Sequence, residues 1–199
     1  MENTSVWITA EEMEIINSFQ YKPQRKVLFT LVSIAKYFNG KNSANNGWVN
    51  FDTKKIFRLA NVSVNRKQQN LIIHEIYVRG LLEFPANPMN LNLRVTFICD
   101  EGEKIHEVKN IEDAGLSYLL FCGEMVKECA KCGRLFRPKS ARYRICSNCK
   151  AKETPPPRFI CCLDCGRIFW VSQYSQATIR CPECAERFRN ARNELILRS

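Results

Sequence analysis

Eight of the eleven cysteines in the chain form four Cys-x-x-Cys pairs, all in its last third. Two cysteines three residues apart in a tight turn direct both sulfur atoms at one metal about 2.3 Å away. Two such pairs complete a tetrahedral shell, so the spacing predicts two metal sites. The first comprises Cys129, Cys132, Cys146 and Cys149, and the second comprises Cys162, Cys165, Cys181 and Cys184.

The two predicted sites repeat one another in sequence. The segment from Cys129 to Phe136 aligns with the segment from Cys162 to Phe169, and each contains Cys-x-x-Cys-Gly-Arg followed by an aliphatic residue and Phe. The glycine permits a positive φ, which turns backbone N–H groups toward sulfur, and the Phe is expected to cover the metal. This pattern resembles the zinc-ribbon family, which implies one structural Zn²⁺ per site and two in the chain.

Other roles for these cysteines remain open at this stage. Iron also accepts four thiolates in a tetrahedron, as in rubredoxin, whereas a closed four-cysteine shell leaves no position for catalysis. Cys161 stands beside Cys162 and can act as a substitute ligand or as a free thiol. Cys99 and Cys122 are predicted to be buried apolar residues. Because the region has few large aliphatic residues for a core, we expect the ribbons to unfold without metal.

The positive charge of the chain lies almost entirely in its cysteine-rich part. Residues 1–120 contain 14 Lys and Arg against 13 Asp and Glu, whereas residues 121–199 contain 16 against 7, a net of +9. Eight thiolates and two divalent ions would change that value by −4, leaving about +5. A surplus of this size favours an anionic partner such as nucleic acid.

The first half of the chain predicts four helices. Thr9 and Glu12 form a capping box at the start of the first, and Pro23 suits the first turn of the second, which Gly40 should end. Asp52 or Thr53 can cap the third helix.

The fourth predicted helix runs from about Val64 to Arg79, and strand-like runs at 81–84 and 91–98 follow it. The connection from Pro85 to Pro88 is typical of a hairpin. Helix, turn, helix and hairpin in this order resemble a winged helix-turn-helix domain over residues 25–98. The sequence is most similar to this family at Leu59-Ala60-Asn61-Val62-Ser63 and Arg79-Gly80-Leu81-Leu82. The residues around Gly47-Trp48-Val49 are also similar to the N-terminal domains of phage replication-initiation proteins.

The resemblance implies that the fourth helix reads DNA, and its first turns contain side chains suited to base edges. Arg pairs with guanine, and Asn or Gln with adenine. The candidate contacts are Asn65, Arg66, Lys67, Gln68 and Gln69. A solvated helix start in a protein-binding domain is the alternative.

In the first ribbon, cations and one aromatic residue occupy the loop between the cysteine pairs, where they can neutralise phosphates and stack on a base. These residues are Arg134, Arg137, Lys139, Arg142, Tyr143 and Arg144. Trp170 and Tyr174 stand at the matching stretch of the second ribbon, although each aromatic can instead pack over its own metal site. The tail after Ala185 predicts a basic helix.

Together these features predict an α+β chain with a winged helix-turn-helix domain over 1–105, a linker that can be helical over 106–126, and ribbons at 127–153 and 159–199. A proline-rich spacer at 154–158 separates the ribbons. No phosphate-binding loop, His-Glu-x-x-His helix or paired acid and base occurs at a motif's spacing, so we expect no enzyme. His74 and His106 are isolated. The chain start lacks a secretory signal and no apolar run is long enough to span a membrane, which predicts a cytoplasmic protein.

The expected function is nucleic-acid binding, by a DNA-binding transcriptional regulator or a replication accessory factor that favours duplex DNA. One alternative is a phage-type adaptor or inhibitor that docks on a nucleic-acid enzyme, such as an RNA polymerase or a defence nuclease. A second alternative is RNA binding by the ribbons.

Overall fold

The computed structural model describes residues 5–86, 92–153, 158–171 and 179–197. The chain is α+β and divides into two units, residues 1–146 and 147–199. The helices within the described residues are α1 (Ala10–Asn17), α2 (Lys22–Lys41), α3 (Thr53–Leu59), α4 (Arg66–Val78), α5 (Ala114–Phe121), α6 (Ser147–Glu153) and α7 (Pro182–Leu197). The strands are β1 (Val6–Thr9), β2 (Trp48–Val49), β3 (Leu82–Glu83), β4 (Leu93–Val95), β5 (Lys104–Val108), β6 (Lys127–Glu128), β7 (Leu135–Phe136), β8 (Arg158–Cys161) and β9 (Ile168–Val171).

Helix α2 is the centre of the first unit, and α1, α3, α4 and α5 all pack against it. Its middle, from Val27 to Ala35, is buried at every position. The predicted capping box of α1 is confirmed, because the Thr9 hydroxyl accepts from the Glu12 amide and the Glu12 carboxylate accepts from the Thr9 amide. Gly40 lies inside α2 rather than ending it, since the helix continues to Lys41.

A buried ion pair joins α1 to α2. Glu12 and Lys36 lie 2.8 Å apart, and neither side chain is more than 7% exposed. The Glu12 carboxylate also accepts from the amide of Cys99, while the Lys36 ammonium donates to the carbonyl oxygens of Trp7 and Cys99. This network satisfies both buried charges, and a buried charge is tolerated only when it is paired in this way.

A three-stranded antiparallel sheet with strand order β2-β4-β3 packs against α2 and α4. The Asp52 carboxylate caps α3 by accepting from the Lys55 amide, as predicted. Asn61 takes a φ of 51° in the turn before α4, a backbone conformation that Asn tolerates better than most residues. Gly80 follows α4 with a φ of 75°. The predicted hairpin connection extends into residues 87–91, which lie outside the described residues.

Residues 106–126, which the sequence predicts to be a linker, contribute to the core of the first unit. Strand β5 pairs with β1, placing Val108 opposite Val6, and α5 buries Tyr118 and Leu119. A Cβ atom at Gly115 would lie 2.3 Å from the backbone of Ala60, so α5 approaches the end of α3 closely. Within this segment α5 is therefore a packed helix of the first unit.

The second unit contains α6, the β8-β9 hairpin and α7. The predicted spacer at 154–158 lies outside the described residues except for Arg158, which begins β8. Among the described helices of the whole chain, none combines the length and apolar character that crossing a membrane requires.

Candidate metal centres and basic surfaces

Eight cysteine sulfur atoms are gathered into two groups of four. The groups are Cys129, Cys132, Cys146 and Cys149, and Cys162, Cys165, Cys181 and Cys184, with the sulfur atoms of each group within 4.8 Å of one another. The Sγ atoms of Cys132 and Cys146 are 3.8 Å apart, as are those of Cys165 and Cys181. A regular tetrahedron with metal–sulfur bonds of about 2.3 Å has edges of about 3.8 Å. The geometry therefore fits one tetrahedral metal ion per group.

The turns that position the sulfur atoms are formed by the repeated glycine. Gly133 and Gly166 have φ values of 69° and 70°, and their amides donate to the carbonyl oxygens of Cys129 and Cys162. The conformation predicted from the sequence is thus present in both repeats. A side chain at these positions would be strained, because L-residues rarely adopt this φ.

Backbone amides stabilise the first thiolate of each group. The Cys146 amide donates to the Cys129 sulfur at 3.3 Å, and the Cys181 amide donates to the Cys162 sulfur at 3.2 Å. These hydrogen bonds lower the pKa of both Cys129 and Cys162 to about 6.

In the second group, a hydrogen bond with the Cys181 sulfur has the opposite effect on Cys184 and raises its pKa to about 12. Four adjacent sulfur atoms cannot all carry charge without a cation, which a bound divalent metal provides.

The second group has an aromatic side chain packed against it and an additional cysteine next to it in sequence. Phe169 packs against the buried cysteines of the second group, as the sequence predicts for an aromatic cover. Cys161 is exposed and lies outside that group of four, with its sulfur 3.1 Å from the carbonyl oxygen of Gly166. Cys99 is half-buried and Cys122 is exposed, so the predicted burial of Cys122 is wrong.

The first ribbon is attached to the core of its unit through Asp113, whose carboxylate is buried at the start of α5. This carboxylate accepts from the Arg134 guanidinium at 2.7 and 3.1 Å and from the Leu135 amide at 3.0 Å. The bond to Asp113 raises the pKa of Arg134. Arg137 pairs in turn with Glu124 at 3.0 Å.

Two of the predicted phosphate contacts in this ribbon, Arg134 and Arg137, therefore hold the ribbon to its own unit. The other predicted contacts are at the surface: Lys139, Arg142, Tyr143 and Arg144 are all exposed. Three cations and one aromatic ring thus lie within six consecutive residues of one loop.

At the start of α4, two of the predicted contacts also have structural roles. The Asn65 side chain caps the helix by accepting from the Gln68 amide at 2.9 Å, and the Gln69 amide group donates to the carbonyl oxygen of Val64. Arg66, Lys67 and Gln68 are exposed. The opposite face of the helix, with Ile72, Ile73 and Ile76, is buried in the core.

Exposed apolar side chains form two further features, one on α4 and one in the second unit. Along α4 these are Leu71 and Val78, exposed by 53% and 67%, with Tyr77 and the nearby Phe84. In the second unit, Trp170 is 67% exposed, and of its two predicted roles this exposure favours a surface contact over packing on its own metal site. The seven-residue spacing of Leu71 and Val78 is the sequence signal that could have indicated an exposed apolar face on α4. Tyr174 and Arg198 lie outside the described residues.

None of the protein-family models, curated proteins and solved structures compared with the chain matches it. Function is therefore inferred from the geometry of these sites.

Proposed function

We propose that the chain is a DNA-binding protein, a transcriptional regulator or replication accessory factor, in which a winged helix-turn-helix reads duplex DNA and zinc ribbons hold basic surfaces. The observation that carries the proposal is the element order α2-β2-α3-α4-β3-β4 with sheet order β2-β4-β3. A winged helix-turn-helix has this order, with the second helix of the turn motif presented to the major groove.

The N-terminal half of α4 has the chemistry of a recognition helix. Arg66, Lys67 and Gln68 are exposed, while the capped helix start and the buried isoleucines fix their orientation. A helix anchored in this way presents donors to base edges on a backbone that does not lose conformational entropy on binding. Phosphate contacts would come from the exposed cations Lys139, Arg142 and Arg144 of the first ribbon.

Zinc is the metal that we propose for both sites. Four thiolates with tetrahedral spacing form the closed shell of structural zinc, and the absence of an open position in such a shell argues against catalysis. Reduced thiols also suit the cytoplasm. Elemental analysis should give about two zinc per chain, whereas iron would give the visible absorption of a thiolate centre and would overturn the zinc assignment.

Duplex binding is tested with the metal-loaded full chain and labelled duplexes selected from a random pool. Affinity should fall with salt, the slope of log K against log salt being about −0.9 per phosphate neutralised. The double variant Arg66→Glu, Lys67→Glu should lose binding and reduce that slope. Lys104→Glu, on β5 in a different sheet, is the matched control for a charge reversal and should bind normally. Duplex binding unaffected by the double variant would refute the winged-helix proposal.

A second candidate function, an adaptor or inhibitor docking on a nucleic-acid enzyme, is favoured by the C-terminal half of α4. Leu71 and Val78 lie seven residues apart on one exposed face, and the Tyr77 and Phe84 rings pack beside each other at 5.1 Å. Apolar helix faces of this kind bind protein grooves. Val78→Asp, at the end of α4 away from Arg66 and Lys67, should then abolish co-purification of one defined partner after nuclease treatment, while leaving duplex affinity unchanged.

A further inference from the structure

The β8-β9 hairpin in the second unit has two faces of different character. On one face Phe169 packs against the second group of cysteines, and Val171 is buried. On the other face Phe159 is paired directly with Trp170, and these side chains are 72% and 67% exposed. Ile168, the next residue on that face, is 70% exposed. A two-stranded ribbon normally places polar residues on its solvent side, so this exposed aromatic pair requires a partner.

We propose that the exposed face of this hairpin binds single-stranded nucleic acid by stacking unpaired bases on Phe159 and Trp170. Directly opposed residues of antiparallel strands have Cβ atoms about 4.5–5.5 Å apart, so both rings extend from neighbouring points on the same face of the hairpin. Stacking on such rings accepts any base, because every base has a π face. This inference rests on the proposed nucleic-acid function and extends it from duplex DNA to single strands, which bind a different surface from α4.

The size of the face favours bases over a second copy of the chain. A fully covered aromatic side chain buries about 150–250 Å², so two rings exposed by about 70% offer roughly 200–350 Å². Adding Ile168 still leaves the face well short of the roughly 800 Å² that each partner contributes to a stable protein interface. Two or three stacked nucleotides match the available area.

The charge of the second unit also favours a polyanion. Residues 147–199 contain nine Lys and Arg against five Asp and Glu, a net of +4. Two of the acidic residues are already paired, Asp164 with Arg180 and Glu183 with Arg167. A divalent ion on four thiolates contributes −2, and Cys149, a ligand of the first group that lies in this unit, contributes up to −1, so the unit stays positive at about +1. Two copies would repel each other, whereas a phosphate backbone is attracted.

The test measures the anisotropy of labelled oligo(dT) and oligo(rU), 12 nucleotides long, with the metal-loaded full chain. Trp170→Ala and Phe159→Ala should each weaken binding by about 5- to 150-fold, the range that corresponds to losing one stacked base. Trp170→Phe retains a ring and should restore most of the affinity. Trp7→Ala, which removes an exposed aromatic from β1 in the first unit, is the matched control and should change binding less than twofold.

Salt dependence separates stacking from charge loss. The aromatic variants remove no cation, so their slope of log K against log salt should equal that of the unchanged chain. The dT and rU arms distinguish DNA from RNA as the strand bound. Metal content of about two ions per chain confirms that each variant retains its folded sites.

Several outcomes would overturn the inference. Unchanged oligonucleotide affinity in both alanine variants would refute base stacking on this face. A concentration-dependent dimer that Trp170→Ala converts to monomer, without affecting oligonucleotide affinity, would also refute it. Failure here differs from failure of the proposed function, because duplex binding is assayed separately through Arg66 and Lys67. Loss of duplex binding in that double variant with intact oligo(dT) binding supports both surfaces independently.

Discussion

The attachment of the first ribbon to the core through Asp113 gives the sharpest stability prediction. Asp113→Ala leaves the Leu135 amide and the Arg134 guanidinium without their acceptor. A hydrogen bond to a charged group contributes about 1.5–3 kcal/mol. The Arg134 side chain is 49% exposed and can recover water, so its two bonds count for little, whereas the Leu135 amide loses its partner within the fold. We expect the free energy of unfolding of the first unit to fall by about 2–4 kcal/mol.

Thermal and denaturant unfolding of the metal-loaded chain measure this change. For a unit of about 150 residues the expected loss lowers Tm by roughly 5–15 °C. Glu112→Ala is the control, because it removes the same charge one residue away and keeps the carbonyl oxygen through which Glu112 accepts from Arg134. The first metal should also leave faster into a chelator, since Arg134 follows the Cys132-Gly133 turn. If Asp113→Ala unfolds within 0.5 kcal/mol of Glu112→Ala, the attachment does not stabilise the unit.

Three further predictions follow from individual contacts. Cys162→Ser should reduce the metal content from about two ions per chain to about one, whereas Cys161→Ser should retain both, because Cys161 lies outside the group of four; elemental analysis decides, and loss of metal in both variants would contradict the assignment. Glu12→Gln should lower the free energy of unfolding by about 3–5 kcal/mol by removing the buried partner of Lys36 and leaving the exposed Asp100, 3.8 Å away, as its carboxylate, while Glu14→Gln at an exposed position should have little effect; denaturant titration compares the two, and equal stability of both variants would show that the buried pair is dispensable. Gly115→Ala should cost about 1–3 kcal/mol, because its Cβ would meet the Ala60 backbone; Gly102→Ala is the control, since it meets only the movable end of the Glu11 side chain, and an equal loss in both would refute the close approach of α5.

The features that sequence reasoning predicted well are those set by local chemistry. The capping box at Thr9, the Asp52 cap and the positive φ of Gly133 and Gly166 all depend on residues within a few positions of one another. The grouping of the cysteines was equally predictable, because each pair forms within one turn and a single metal requires two pairs.

The features that were missed depend on contacts between distant parts of the chain. Strand β5 has charged residues among its apolar ones and gives no strong period-2 pattern, so only its pairing with β1 identifies it. Asp113 is an unremarkable acid in sequence and becomes an acceptor only when the ribbon packs on it. Arg134 was assigned to phosphate for its residue type, and its actual partner lies 21 residues earlier.

The packed segment between the helical domain and the first ribbon changes how the proposed DNA complex should behave. Two modules on a flexible linker gain affinity through effective concentration, which varies with linker length. Here Arg134 is bound to Asp113 at the start of α5. Two residues after Asp113, Gly115 lies against Ala60, and Ala60 precedes the turn that leads into α4. The basic loop with Lys139, Arg142 and Arg144 is therefore held by the same core as α4. Its phosphate contacts should therefore occur at a fixed distance from the bases read by α4. Moving the recognised sequence toward one end of a short duplex should remove these phosphate contacts stepwise, once the duplex no longer reaches the loop.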